Sequence, residues 1–324
     1  MITSPILVRV LEKGSYDKQA TILAYLGYTW MAFIFLFFCS SVLYDAGRFL
    51  LVLISKKNYV SQKTQFIIPL FISLVLVFYG IFEARNLRIE KIVIQTPKLC
   101  GDLKKLRIVQ ISDLHIGLLT NKKKIEAYVG KIKSLNPDIL VSTGDFVDGQ
   151  LDRIEMFSEH FKSISAPFGK FAVTGNHEYY AGIKRAKTFL EKSGFKVLEN
   201  EIYVIEDCLS FVGIDDSHSS ESTELFLLRS GRTKGFTILL KHRPIVLKES
   251  IGLFDLQLSG HTHGGQIFPF RFITSLFFEY IDGYKFLGTN SHLYVSKGTG
   301  TWGPPVRVLS PPEITVIEIV KKDY

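Results

Sequence analysis

Two histidines stand one residue apart in Ser259-Gly260-His261-Thr262-His263-Gly264-Gly265-Gln266. In an extended segment, side chains at i and i+2 share a face, so His261 and His263 can project together from a strand end. The flanking glycines let the backbone crowd an ion or an anion. Alone, such a pair also suits a polar loop with two solvated imidazoles. Its weight comes from Asp113, His115, Asp145, Asn176 and His242, each of which follows a short apolar run. Together these are two carboxylates, one amide oxygen and four imidazoles. A tetrahedral ion takes about four ligands, so the set is too large for one ion and suits two that share a carboxylate. Nitrogen and oxygen donors without thiolate suit Mn, Fe or Zn. Two divalent ions against two carboxylates leave a positive hole that attracts a phosphate ester and lowers the pKa of a bridging water.

Positioning seven such side chains requires a repeating scaffold. Short apolar runs at residues 106–111, 138–142, 171–174, 236–240 and 256–259 predict strands, and each leads into one of these polar groups. Between them lie helical patterns: one capped by Asn121 with Ile125, Val129 and Ile132 on one face, then residues 152–163, 182–193 and 221–228. Further strands are predicted near residues 196–198, 203–205 and 209–214. The alternation predicts an α/β fold, in which sites form at the carboxyl ends of strands. His160, His218 and His292 lack such company and are expected at the surface or as satisfied core groups.

The N-terminal third has a different character. Residues 20–44 carry no charge, and neither do residues 64–82. About 20 apolar residues cross the hydrocarbon core, so both runs predict transmembrane helices, with Pro69 tolerable inside the second. A first run that starts twenty residues in and is followed by a second does not fit a cleaved signal peptide. Residues 49–54 extend the first helix or lie along the surface. The resulting division is residues 1–83 as a membrane region, 84–103 as a linker with a lead-in strand at 92–94 and a Gly101-Asp102 turn, and 104–324 as the catalytic domain.

Charge follows the same division. Of 39 Lys and Arg against 31 Asp and Glu, residues 1–100 hold 11 against 5 and residues 101–324 hold 28 against 26. The near-neutral larger part lacks the basic patch of a nucleic-acid-binding body, so no nucleic-acid partner is expected. Basic residues flank both apolar runs on either side and give only a weak vote on orientation. Cys39 lies in an apolar run, which leaves at most one bridge, between Cys100 and Cys208, and the compartment undecided.

In order along the chain stand Asp113-x-His115, Gly144-Asp145-x-x-Asp148, Gly175-Asn176-His177-Glu178, His242 and Gly260-His261-x-His263. This series closely resembles the calcineurin-like metallophosphoesterase superfamily. Residues 260–266 and Gly298-Thr-Gly-Thr-Trp-Gly-Pro-Pro305 are similar to its membrane-associated bacterial branch. The resemblance implies a four-layer α/β/β/α sandwich, preceded here by the transmembrane helices. It implies one metal on Asp113, His115, Asp145 and His263, and a second on Asp145, Asn176, His242 and His261. It further implies that His177 faces the scissile phosphate, oriented by Asp148, and that a metal-bridging hydroxide attacks phosphorus in line. Glu178 is equally readable as a helix-start carboxylate. The branch implies an inner-membrane protein with its catalytic part on the extracytoplasmic face.

For substrate, the expectation is a phosphodiester, with a lipid-linked ester suggested by the aromatics of residues 268–286 and by Lys122, Lys123, Lys124, Lys131 and Lys133. Core packing for the aromatics and a solvated helix face for the lysines stand beside that reading. A phosphomonoesterase or nucleotide hydrolase on the same site is the alternative within enzymes. A catalytically silent metal-binding membrane scaffold is the alternative outside them.

Overall fold

The N-terminal runs form long helices because a helix satisfies its own backbone groups and no charge interrupts residues 20–44 or 64–82. The computed structural model describes residues 3–55, 61–99, 103–149, 154–206, 208–217, 219–231 and 234–322. Helix α1 (Ser4–Lys13) leads into α2 (Asp17–Ser55), and α3 (Gln62–Glu83) follows. The Ser61 hydroxyl caps α3 by accepting the Thr64 N–H at 3.2 Å. At about 1.5 Å per residue, α2 runs about 58 Å and α3 about 33 Å, against a hydrocarbon core of about 30 Å. Helix α2 absorbs the 49–54 stretch. Phe38, Leu43, Phe71 and Phe78 are among its and α3's exposed side chains. Gly27 lies so close to Ser4 that an added Cβ would overlap it, so α1 folds back flush along α2.

The remaining helices are α4 (Lys122–Ser134), α5 (Ser158–Lys162), α6 (Asn176–Ala181), α7 (Ile183–Lys192), α8 (Glu221–Ser230) and α9 (Phe270–Thr274). The strands are β1 (Arg88–Thr96), β2 (Lys105–Ile111), β3 (Ile139–Ser142), β4 (Lys170–Ala172), β5 (Lys196–Val197), β6 (Glu201–Ile205), β7 (Leu209–Ile214), β8 (Phe236–Lys241), β9 (Leu256–Ser259), β10 (Gly283–Gly288), β11 (Ser291–Val295) and β12 (Glu313–Lys321). One sheet has the order β1-β12-β2-β3-β4-β5, the other β10-β11-β9-β8-β7-β6. Strand β12 runs parallel to β1 and antiparallel to β2, while β2 to β5 are mutually parallel.

Three apolar layers hold the sheets. Ile108, Val141, Phe171, Phe211, Ile238 and Leu258 fill the space between them. Val109 and Leu140, one position along from Ile108 and Val141, point the other way and pack with Ile125, Phe161 and Phe189 of the helices. Val212 and Leu239 of the second sheet meet Leu227 and Leu228 of α8. Strands covered on both faces read as continuous apolar runs rather than alternating ones. The result is the four-layer α/β/β/α sandwich with two apolar helices before it.

Some elements differ from expectation in ways the local chemistry explains. The helix expected over 182–193 is α7, and a short helix the sequence did not predict, α6, precedes it; Gly182 at φ 101° separates the two. The helix expected over 152–163 begins as a 3-10 turn at Glu155–Phe157 and continues as α5; residues 152 and 153 lie outside the described residues, as do the Gly101-Asp102 turn and His218. Residues 84–103 carry more than a lead-in: β1 pairs with β12 from Arg88 to Thr96. Cys208 is disulfide-bonded, as the sequence allows for one bridge, and Cys39 is free.

The long helices are fixed to this body. Four residues separate α3 from β1, and Arg88 donates to the buried Glu83 carboxylate across them at 2.6 Å. Ala32, Leu36 and Val77 pack against Ile267, Val306 and Val308. The Gly80 carbonyl accepts the Arg307 N–H at 3.0 Å, and a Cβ at Gly80 would press on Val306 and on the Arg307 carbonyl.

Candidate metal centre

Strands β2, β3, β8 and β9 end at one edge of the sandwich, and their following turns carry the candidate residues. Asp113 and His115 follow β2, Asp145 follows β3, His242 follows β8, and His261 and His263 follow β9. Asn176 opens α6 just after β4. Five of these seven, Asp113, His115, Asp145, His261 and His263, adopt positive φ between 47° and 73°. For residues with a Cβ this backbone costs on the order of 1–3 kcal/mol each and persists where the surroundings over-determine it. The strain is spent on aiming side chains inward.

The donors fall into two groups around one oxygen. Asp113, His115 and His263 converge, as do Asp145, His242 and His261. The Asp145 Oδ2 lies 3.2 Å from His242 Nε2 and 3.8 Å from His115 Nε2, so it faces both groups. Within the first, His263 Nε2 is 3.0 Å from His115 Nε2 and 3.5 Å from Asp113 Oδ1. Within the second, His261 Nδ1 is 3.0 Å from His242 Nε2. His242 Nδ1 donates to the Thr143 carbonyl at 2.8 Å, which leaves Nε2 directed at Asp145 and His261. The main-chain N–H of His261 donates to both Asp113 oxygens at 3.1 Å, tying the β2 and β9 turns together.

Facing imidazole nitrogens at 3.0 Å cannot both keep lone pairs toward each other unless something positive lies between. Burial pushes His115 down to about 4 and His261 down to about 3, and it holds His263 well below the ordinary range. These three are therefore neutral ligand-type imidazoles. Burial also opposes charge on Asp145 and His242, but each stabilises the other: the Asp145 carboxyl is held far below its usual range and His242 rises to about 10. Asn176 Oδ1 is buried without a hydrogen-bond partner. An orphan amide oxygen, clustered neutral imidazoles and buried carboxylates are the donor chemistry of a divalent cation. Glycine makes the space: a Cβ at Gly260 would overlap the Asp113 carboxylate, and one at Gly175 would overlap that of Asp145.

His177 lies beside this cluster. Its Nδ1 donates to Asp148 Oδ1 at 3.0 Å, and its backbone N–H donates to Asp145 Oδ1 at 2.9 Å. Burial lowers the His177 pKa, but the hydrogen bond and charge of Asp148 outweigh it and raise the group above its ordinary value. His160 and His292 stay apart from the cluster; His292 Nδ1 bonds the Tyr284 hydroxyl at 2.7 Å.

Glu178 has a role the sequence left open. Its carboxylate is fully buried and accepts the backbone N–H groups of Asp145, Phe146, Val147 and Gly175 at 2.7–3.2 Å. It pins the β3 turn to the start of α6, and burial raises its pKa to about 7. We expect Glu178→Ala to strand these donors and to cost at least about 3 kcal/mol, at roughly 1–3 kcal/mol per unsatisfied group. Thermal unfolding would then show a Tm lower by about 6–12 °C.

Sequence reading also missed Arg307. It is fully buried, and its guanidinium donates to the carbonyls of Gly298, Gly300 and Ser310 and sits 3.2 Å from His263 Nδ1. A lone Arg after the Gly-Pro block gives no hint that its head turns inward.

An α/β/β/α sandwich whose strand ends gather carboxylates and imidazoles defines a metal-site protein of the phosphoesterase type. The calcineurin-like phosphoesterase family model matches residues 106–265. An uncharacterized metallophosphoesterase of Aquifex aeolicus is 40% identical over 260 residues, covering 78% of this chain and 99% of that protein. The uncharacterized metallophosphoesterase Cj0846 of Campylobacter jejuni is 29% identical over 320 residues, covering 92% and 84%. A transmembrane protein with metallophosphoesterase domain from Danio rerio is 32% identical over 273 residues, covering 78% of this chain and 62% of that one. The chain belongs to the calcineurin-like metallophosphoesterase family.

Proposed function

We propose that this protein is a membrane-anchored phosphodiesterase with a two-metal centre. The observation that carries the reading is Asp145 Oδ2, which faces both donor groups at once. Asp113, His115, Asp145 and His263 would hold one divalent ion, and Asp145, Asn176, His242 and His261 the other; Mn, Fe and Zn suit these donors. Bound ions supply Lewis-acid charge to the phosphoryl oxygens and an activated water. The protein's own part in the reaction centres on His177. With Nδ1 held by Asp148, it keeps a proton on Nε2, which it gives to the leaving oxygen as the bond from phosphorus to that oxygen breaks. Asp148 fixes the imidazole orientation and stabilises its cationic form.

Two helices with exposed apolar sides, each long enough to cross a bilayer, support the anchor. A disulfide at Cys208 supports an extracytoplasmic catalytic part, since such bonds persist in oxidising compartments. In α9 and the turn after it, Phe272 is 64%, Leu276 80% and Phe277 76% exposed, while Phe270 meets Phe35 of α2. This placement supports a site that opens near lipid and takes a lipid-linked ester. Full-length protein in detergent should hydrolyse bis(4-nitrophenyl) phosphate in preference to 4-nitrophenyl phosphate. A chelator should abolish the turnover and added Mn2+ or Zn2+ should restore it. Turnover indifferent to chelation would end the metal reading, and preference for the monoester would end the diesterase reading.

A further inference from the structure

Two exposed aromatic side chains flank the proton donor without serving any core. Trp302 and Tyr180 are 54% and 71% exposed. Their rings meet His177 edge to face, at centroid distances of 6.0 and 5.3 Å. An exposed tryptophan on a loop would ordinarily sample many positions, yet this loop is held. Gln266 Nε2 donates to the carbonyls of Trp302 and Pro304 at 2.9 and 3.2 Å, and its Oε1 accepts the Trp302 N–H at 2.9 Å. Gln266 itself sits at φ 45°, a strained backbone for glutamine. A few residues on, Val306 and Val308 pack against the apolar helices, and the buried Arg307 grips the Gly300 carbonyl. The loop beside His177 is thus tied down by Gln266 and Arg307, and it presents Trp302 to solvent.

We propose that Trp302 and Tyr180 are specificity-determining residues that grip an aliphatic leaving group, the alkyl part of the alcohol whose oxygen takes the His177 proton. The assignment rests on the hydrolase reading of the site. It chooses an aliphatic rather than a planar group because Trp302 and Tyr180 both meet His177 in T-shaped contacts from separate elements. Rigid aromatics bind apolar groups at low entropic cost, and each buried methylene adds to affinity.

The test uses full-length, Zn2+-loaded protein in detergent, with methylphosphonate and butylphosphonate as probes too short to partition into micelles. Calorimetry should show butylphosphonate binding about tenfold tighter than methylphosphonate. That ratio should fall to about two in Trp302→Ala, and recover in Trp302→Phe. The chain has two tryptophans, so in a Trp30→Phe background the emission of Trp302 should shift with butylphosphonate more than with methylphosphonate. Tyr180→Ala should lower the ratio through a residue on a different element, which guards against a loop-folding artefact in the Trp302 variants. A ratio near one in the wild type, or one unchanged by both alanine variants, overturns the proposal. So does a Trp302-dependent preference for AMP over butylphosphonate, which would mark a planar group instead. Chain-selective binding without ester hydrolysis would sustain the grip and defeat the hydrolase reading, so the two failures are distinguishable.

Discussion

Asp145→Asn is expected to lower phosphodiester turnover by at least about a thousandfold and to reduce bound metal from two ions per chain to fewer than one after dialysis. The substitution keeps shape and removes charge from the one oxygen that faces both histidine groups, 3.2 Å from His242 and 3.8 Å from His115. Asparagine tolerates the left-handed backbone that Asp145 adopts at φ 50°, so the turn should survive. A thousandfold loss is about 4 kcal/mol of transition-state stabilisation, within what charge neutralisation at such a centre provides. Elemental analysis and turnover on the same sample check it. Full metal content with undiminished turnover would refute the shared-carboxylate centre.

The second large effect concerns the proton. His177 is raised above its ordinary pKa, so its proton is present at neutral pH and is lost as pH rises through that raised value. The sign follows for activity: kcat should hold through neutral pH and fall on the alkaline side as His177 becomes neutral. In Asp148→Asn the Asp148 hydrogen bond and charge are gone, and only the charges of Asp145 and Glu178 remain to oppose the lowering by burial. The alkaline limb should therefore move to lower pH, with kcat at pH 8 reduced about 10–100-fold relative to the wild type. His177→Ala should cost about 10²–10⁴-fold on a poor leaving group such as an alkyl alcohol and far less on 4-nitrophenolate, which departs without a proton. Equal losses on both esters would remove His177 as the proton donor.

The residues that could be read from sequence are those whose chemistry dictates their type. Asp113, His115, Asp145, His242, His261 and His263 each stand where an apolar run stops, and the structure gathers these six at one edge. The Ile139-Leu-Val141 run of β3 is continuously apolar because both of its faces are covered. What the sequence hides is long-range. β12 reads as an apolar run, but nothing local says that it slots between β1 and β2. Helix α1 is short, and it is held by the close approach of Ser4 to Gly27. Glu178 reads as a helix-start carboxylate, which it is, but its three further backbone donors from the β3 turn are invisible until the fold is seen. Gln266 and Trp302 are 36 positions apart and acquire meaning only as partners. Aromatic stretches are ambiguous in the same way: in residues 268–286, Phe278 meets His261 at 5.1 Å while Phe277 faces outward.

The short joint between α3 and β1 has a consequence for how the protein meets its substrate. With Gly80 bonded to Arg307, and the Tyr25 hydroxyl bonded to the Leu119 carbonyl at 3.3 Å, both long helices grip the body directly rather than through a flexible tether. Anchored in a bilayer as proposed, such a body would ride at fixed height and tilt, like a read head over a disc. For the proposed lipid-linked ester, encounter would then be a two-dimensional search, and turnover should scale with the mole fraction of substrate in the surface rather than with its bulk concentration.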